Sequence, residues 1–366
     1  NHVYNEIVIL TATSGDTGKA ALAGFAGVPG TRIIVFYPKN GVSRVQELQM
    51  VTQKGSNTAV VAIHGNFDNA QSGVKALFED KALEEEMAGK GYQFSSANSI
   101  NIGRLIPQVV YYVYAYAKLL ANWEIASGEE INVTVPTGNF GNILAAYYAK
   151  QMGVPIAKLI CASNENKVLF DFFRTGTYDR NREFVLTSSP SMDILISSNL
   201  ERLIYAIAGG DDGKDRKLME ALKSEGRYEI TPEMKEQLSD FAGGYATEEE
   251  TMAAIHDTYE STGYVMDTHT AVASHVCRAY REKNQDHTKA LVASTASPYK
   301  FVKSVMTAID GKYSSMDEFD LIGELKKVSG TQVPHAIEEI QNAKILHTRE
   351  CDVDQMKETV REILGI

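Results

Sequence analysis

Residues 7–25 read IVILTATSGDTGKAALAGF. Ile7 to Leu10 is a continuous apolar run, as expected of a strand covered on both faces. The hydroxyl- and glycine-rich loop that follows gives way to helical spacing from Thr17 to Ala26. Further along, Ile33–Phe36 and Ala59–Ile63 repeat the strand signal. The helical stretch Val45–Lys54 lies between them and stops at Gly55, where a residue without Cβ can end a helix. Apolar strands alternating with helices predict a parallel sheet with helices on both faces. A second series contains Asn132–Val135, a helix over Ile143–Gln151, Leu159–Ala162 and Ala290–Ala293. The expected fold class is α/β, with two three-layer domains and mostly parallel sheets.

The domains are expected over residues 1–115 and 116–366, with the join near a helix over Ile102–Ala126. Its apolar run Val109–Ala117 is too short for a membrane span, which needs about 20 residues, and reads as a buried helix. The charged stretch 211–250, containing GGDDGKDRK and ATEEE, reads as a solvated helical insertion. Near the end, Val353, Met356, Val360 and Ile363 form one stripe of a helix that stops at Gly365 and should dock on the body of the protein.

Among the 366 residues, 36 Lys and Arg stand against 47 Asp and Glu, a net charge of −11. With no local basic patch, this disfavours nucleic acid and anionic membranes as partners. The start of the chain, with Glu6 before a short apolar run, does not read as a signal peptide. Cys161, Cys277 and Cys351 are widely spaced and suit a reducing cytoplasm rather than a disulfide framework or a zinc site. His269 and His275 are six apart, off a common helical face, so no metal site is expected. Tyr111, Tyr112, Tyr114 and Tyr116 suit core or interface better than base stacking.

Thr11 to Lys19 joins a predicted strand to a predicted helix, a place where main-chain amides and the helix dipole favour an anion. Gly15 and Gly18 allow close approach, and Ser14 and Thr17 can add hydroxyl donors. The tail TGK resembles a P-loop, but Thr13 and Ala20 stand where that motif needs Gly and Ser or Thr. A capped helix with Ser14 or Asp16 as N-cap and nothing bound fits the same residues. Val135 to Asn142, VPTGNFGN, repeats the pattern, with Gly138 and Gly141 where amides could wrap a phosphate. Its spacing is not that of a dinucleotide fingerprint. Together the loops suggest one ligand with a phosphate and another with a carboxylate. The third segment, VASTASP (residues 292–298), ends a strand in small hydroxyl residues, and Thr295 could bond a heterocycle nitrogen without charging it.

At these segments the chain resembles the fold-type II pyridoxal-phosphate enzymes, the tryptophan synthase β-like superfamily, and within it closely resembles the threonine synthases. The resemblance runs through TSGDTGKAAL, SANSINIGRLIPQ, VPTGNFGNILAAY, SSNLERLIY, DTHTAV and STASPYKF, in that order over nearly the whole chain. It implies pyridoxal 5'-phosphate as cofactor, with Gly138, Asn139, Phe140, Gly141 and Asn142 around its phosphate. Asp16 would lie near its phenolic oxygen and Thr295 at its pyridine nitrogen. Ser14, Gly15 and Thr17 would bind the substrate carboxylate. Asn98, Ser99, Asn101 and Arg104 are candidates for the substrate's own phosphate, although a helix cap with an exposed Arg fits them equally well. The implied reaction converts O-phosphohomoserine and water to threonine and phosphate, in a cytoplasmic monomer or homodimer.

The family's Schiff-base lysine lies in a segment resembling GPTxxFKD, upstream of the TSGDTG loop. No such segment occurs here, and neither Lys19 nor Lys39 has that context. The expectation is a threonine synthase chain without its N-terminal segment, with no catalytic lysine of its own and inactive as written. A lysine-less sensor protein and a serine/threonine dehydratase-like lyase are the alternatives. An FKD-type segment upstream of Asn1 would exclude the sensor; Asp16, the NSIN segment and SSNLERLIY weigh against the dehydratase.

Overall fold

The computed structural model describes residues 5–366. In chain order the strands are β1 (Glu6–Ala12), β2 (Thr31–Pro38), β3 (Thr58–His64), β4 (Tyr92–Ser96), β5 (Ile131–Pro136), β6 (Ile156–Ser163), β7 (Thr177–Asp179), β8 (Arg227–Glu229), β9 (Phe241–Tyr245), β10 (Ala290–Val292) and β11 (Arg349–Asp352). They build a five-stranded sheet, β11-β3-β2-β1-β4, and a four-stranded one, β10-β5-β6-β9. Every pairing in both is parallel, as the alternation of apolar runs and helices predicts. β7 and β8 form a separate antiparallel pair.

The chain divides into two compact units, one holding the residues up to Asn101 together with Gln332–Ile366, the other Ile102–Thr331. The boundary expected at 115/116 therefore differs from the observed one on two counts. The long helix Ile102–Ala121 belongs wholly to the second unit, and the last 35 residues (332 to 366) return to the first.

In the first unit Ile9, Leu22, Ile33, Val35, Met50 and Val60 pack into one core. Gly18 lets the helix Asp16–Phe25 lie close on the sheet, since a Cβ there would come within 2.6 Å of Thr13 Cγ2 and 2.9 Å of Val35 Cγ1. β11 escapes sequence reading because its four residues, Arg-Glu-Cys-Asp, bury only Cys351. The final helix, Met356–Leu364, buries Met356, Val360 and Leu364, and Leu364 takes the place expected for Ile363. Its docking is fixed by Lys357 on Asp80 at 2.6 Å and Arg361 on Glu86 at 2.7 Å.

In the second unit β5 is buried along its whole length. The stretch 211–250 is not merely a solvated insertion, for it contains β9, an outer strand of the sheet. The sequence of β9, FAGGY, hides this role: a Cβ on Gly244 would lie 2.4 Å from Val276 Cγ1, so the glycine admits the helix Thr268–Asn284. The helix Ile102–Ala121 is also not buried all round. It buries Leu105, Val109, Tyr112 and Tyr116, while Ile106, Val110, Tyr111, Val113 and Tyr114 remain exposed. No helix among the described residues is long and apolar enough to cross a membrane.

Candidate functional site

β5 delivers the chain into Thr137-Gly138-Asn139-Phe140, from which the helix Gly141–Gln151 departs. Phe140 is the N-cap, in the left-handed region at φ 63°, and no side chain caps the helix. A bulky residue there is strained by about 1–2 kcal/mol. Burial of its ring, near Phe173 and Phe241 at 6.1 Å each, offsets that strain. The first-turn amides have no intrahelical acceptor. With Phe140 left-handed they form a concave row of N–H groups at the positive end of the helix dipole, the geometry of an anion nest. Tyr112, on the neighbouring helix, donates its hydroxyl proton to Asn142 Oδ1; burial raises the pKa of that hydroxyl.

A strap, residues 180–199, irregular apart from a short 3-10 helix at Pro190–Met192, lies over this loop. Ser191 O is so near Gly138 that a Cβ there would lie only 2.4 Å from it. Ser197 Oγ donates to Gly138 O at 2.7 Å, and Asn199 donates to Asn139 O through N at 3.1 Å and Nδ2 at 2.9 Å. Ser198 Oγ donates to Asn139 Oδ1 at 3.3 Å. The strap takes its shape from side chains. Buried Asp193 accepts from Thr187 N, Thr187 Oγ1, Asn164 Nδ2 and Asn166 Nδ2 over 2.7–3.0 Å. Burial raises the pKa of the Asp193 carboxyl, while donors from Thr187 and Asn164 oppose the rise.

Ser191 N donates to His269 Nε2 at 3.2 Å, which places the ring proton on Nδ1, 3.4 Å from Asp267 Oδ1. His269 therefore both starts a helix and anchors the strap. Ser191 Oγ is buried without a hydrogen-bond partner. Thr295 follows β10, the parallel neighbour of β5, and is exposed at the same end of the sheet. Beside it, Ser294 Oγ lies 3.1 Å from Thr270 Oγ1.

In the first unit the loop after β1 is organised by a residue outside the candidate set. Thr13 Oγ1, buried, accepts from Gly15 N at 2.9 Å and Gly18 N at 2.8 Å. Neither Ser14 nor Asp16 is the N-cap: that place belongs to Gly15, at φ 125°, with the buried side chain of Gln46 beneath it. Gln46 Nε2 donates to Asp16 Oδ1 at 3.1 Å, and Gln46 is itself set by a capping box with Ser43. Ser14 and Thr17 are half-buried beside these groups. Asn98 pairs with both main-chain groups of Ala12, accepting from N at 3.1 Å and donating to O at 2.7 Å. Asn101 Nδ2 donates to Ser96 O at 2.7 Å. Asn98 and Asn101 thus close the ends of β1 and β4 together, with half-buried Ser99 between them. Arg104 belongs to the other unit and is half-buried rather than exposed; burial lowers its pKa.

A family profile described as pyridoxal-phosphate dependent enzyme matches residues 4–297, and one for the threonine synthase C-terminal region matches 270–360. Threonine synthase of Saccharomyces cerevisiae is 36% identical over 378 residues, 98% of this chain and 70% of the yeast protein. The chain belongs to the threonine synthase family of pyridoxal-phosphate-dependent enzymes. A pyridoxal-phosphate-bound threonine synthase from Brucella melitensis has TM-score 0.79 at 35% identity, covering 98% of this chain and 71% of that one. Threonine synthase-like 1 of Homo sapiens is 43% identical over 311 residues, 82% of this chain but only 41% of the human protein. The chain thus spans less than half the length of that relative.

The residues present fit the cofactor of this family. Gly138 leaves no room for a Cβ, the helix start is uncapped, and Ser191 Oγ is an unused buried hydroxyl next to Gly138 on the strap. Phe140 can serve a phosphate only through its amide, since its ring is 1% exposed. Gly138 to Asn142 and Thr295 come together at one end of the second sheet. Asp16, Ser14, Gly15, Thr17, Asn98, Ser99 and Asn101 lie in the first unit. Sequence reasoning missed Thr13, Gln46, Asp193, Ser197 and Asn199. Ser43-x-x-Gln46 carried a capping-box signal. Asp193 and its partners carried none, because their pairing is non-local.

Proposed function

We propose that the whole protein acts as a threonine synthase on O-phosphohomoserine, and that these 366 residues supply its cofactor phosphate cradle and its substrate-binding loop. The observation that carries this reading is the uncapped helix start after Gly138, held by the strap, in a chain of the threonine synthase family. When bound, pyridoxal phosphate supplies the electron sink that lets protons leave Cα and Cβ and phosphate leave Cγ before water adds at Cβ.

The chain's own residues bind and orient. The Gly138–Asn142 amides receive the cofactor phosphate. Thr295 offers a neutral hydroxyl to the ring nitrogen and leaves it uncharged. Ser14, Gly15 and Thr17 take the substrate carboxylate on a loop that Thr13 has already shaped. Asp16, steadied by Gln46, is the residue that the family resemblance assigns to the cofactor's phenolic oxygen. For the substrate phosphate the candidates are Asn98, Ser99 and Asn101 in the first unit and, as a charged group, Arg104 in the second. No lysine in these residues has the aromatic-Lys-Asp context of the Schiff-base lysine, so they bind without turning over. The protein works in the cytoplasm as a monomer or homodimer.

Calorimetric titration of this chain, loaded with pyridoxal phosphate, tests the reading. O-phosphohomoserine should bind at least about tenfold more tightly than homoserine, the margin of one charge-assisted hydrogen bond, and no inorganic phosphate should be released. Equal binding of the two would sink the substrate assignment, and phosphate release would sink the claim of inactivity.

A further inference from the structure

We propose that Ser197 and Asn199 are positioning residues for the cofactor phosphate, gripping the cradle by its carbonyl oxygens and so aiming its amides. The proposal rests on the reading of Gly138–Asn142 as the phosphate site. Ser197 Oγ holds Gly138 O, and Asn199 holds Asn139 O with two donors. No cis peptide occurs among the described residues. In a trans peptide the carbonyl and the following N–H point in opposite directions. Fixing Gly138 O and Asn139 O therefore turns the N–H groups of Asn139 and Phe140 away from Ser197 and Asn199. The left-handed turn at Phe140 then brings the next amides into the same concavity.

Aim matters here because the loop carries no positive charge: Val135 to Asn142 contains neither Lys nor Arg. An anion held only by amide dipoles is sensitive to their direction. The two gripping residues are themselves fixed. Ser197 is 6% exposed and its N donates to Tyr178 OH at 2.8 Å; Asn199 is fully buried. Arg202 donates to Asn199 Oδ1, which leaves Nδ2 for Asn139 O. Neither residue is assigned a contact with the phosphate, so both act through the loop.

The test compares equilibrium affinity for pyridoxal phosphate and for pyridoxal, which lacks the phosphate, in the wild-type chain and its variants. Wild type should prefer the phosphorylated ligand. Ser197→Ala should lower affinity for pyridoxal phosphate about tenfold, the scale of one hydrogen bond to a buried group, and leave pyridoxal within about twofold. Asn199→Ala keeps the main-chain donor to Asn139 O and should lose about fivefold, with the same selectivity. Ser197→Thr retains the hydroxyl and should restore the preference. Should Ser197→Ala fail to fold, Asn199→Ala and Ser197→Thr carry the measurement. Equal losses for both ligands, or no loss for either, would overturn the gripping role. A wild type without preference for the phosphorylated ligand would overturn the phosphate-site reading beneath it.

Discussion

Gly138→Ala is expected to weaken binding of pyridoxal phosphate by about a hundredfold, since overpacking of this kind costs about 1–3 kcal/mol and the cradle has little freedom to yield. The obstacle is a main-chain oxygen, Ser191 O, 2.4 Å from the position of the new Cβ. It cannot rotate aside as a side chain could. Its segment is pinned by Ser191 N on His269 Nε2 at 3.2 Å and Met192 N on Ser189 O at 3.0 Å. Either the loop moves away from the strap and its carbonyls lose Ser197 and Asn199, or the strap moves and strains the Asp193 network. Gly311→Ala, where nothing lies within 4 Å of the added Cβ, should leave the affinity unchanged when both variants are titrated with pyridoxal phosphate by fluorescence.

Asp193→Ala should lower the stability of the second unit by about 4 kcal/mol, read as a fall in the urea midpoint at unchanged slope. The carboxylate collects donors from Thr187 N, Thr187 Oγ1, Asn164 Nδ2 and Asn166 Nδ2. Alanine would leave them in a buried place without an acceptor, and an unsatisfied buried donor costs about 1–3 kcal/mol. Asp193→Asn keeps the volume and one acceptor oxygen and should lose about half as much. Asp212, whose side chain is 83% exposed beside Arg216, gives the contrast: Asp212→Ala should change stability by less than about 0.5 kcal/mol. Because the strap carries Ser191, Ser197 and Asn199, Asp193→Ala should also weaken the cofactor. A stable variant with full affinity would show that the strap holds its shape without Asp193.

The parts of the fold legible in the sequence are those with local causes. β1, β2, β3, β5 and β6 announce themselves as apolar runs, and the helix starts after β1 and β5 fall at glycines where the pattern changes period. The parts that escaped are held by distant partners. β9 reads as a glycine-rich loop until the helix Thr268–Asn284 lies on it, and β11 is a polar edge whose pairing with β3 comes from a segment almost 300 residues away. The same division runs through the site. Gly138 was visible because a cradle demands a residue without Cβ there, whereas Phe140 came only with the family resemblance and its left-handed φ has no signal in the sequence. Ser197 and Asn199 were visible only as members of a recurring string, and their grip on Gly138 and Asn139 across about 60 residues is a fact of the tertiary structure. Thr13 escaped because it precedes the helix start by more than an N-cap does, yet its hydroxyl takes the amides of Gly15 and Gly18.

If the amides from Asn139 to Asn142 bind the cofactor's phosphate, they must respond to that group alone as well as to the whole cofactor. Two-dimensional amide NMR of the labelled chain, titrated with pyridoxal phosphate and then with inorganic phosphate, tests it most directly. The amides of Asn139, Phe140, Gly141 and Asn142 should shift with both ligands at their own saturation, and those of Ser14 to Thr17 should not follow inorganic phosphate with the same affinity. Saturating pyridoxal phosphate with these four amides unmoved would contradict it.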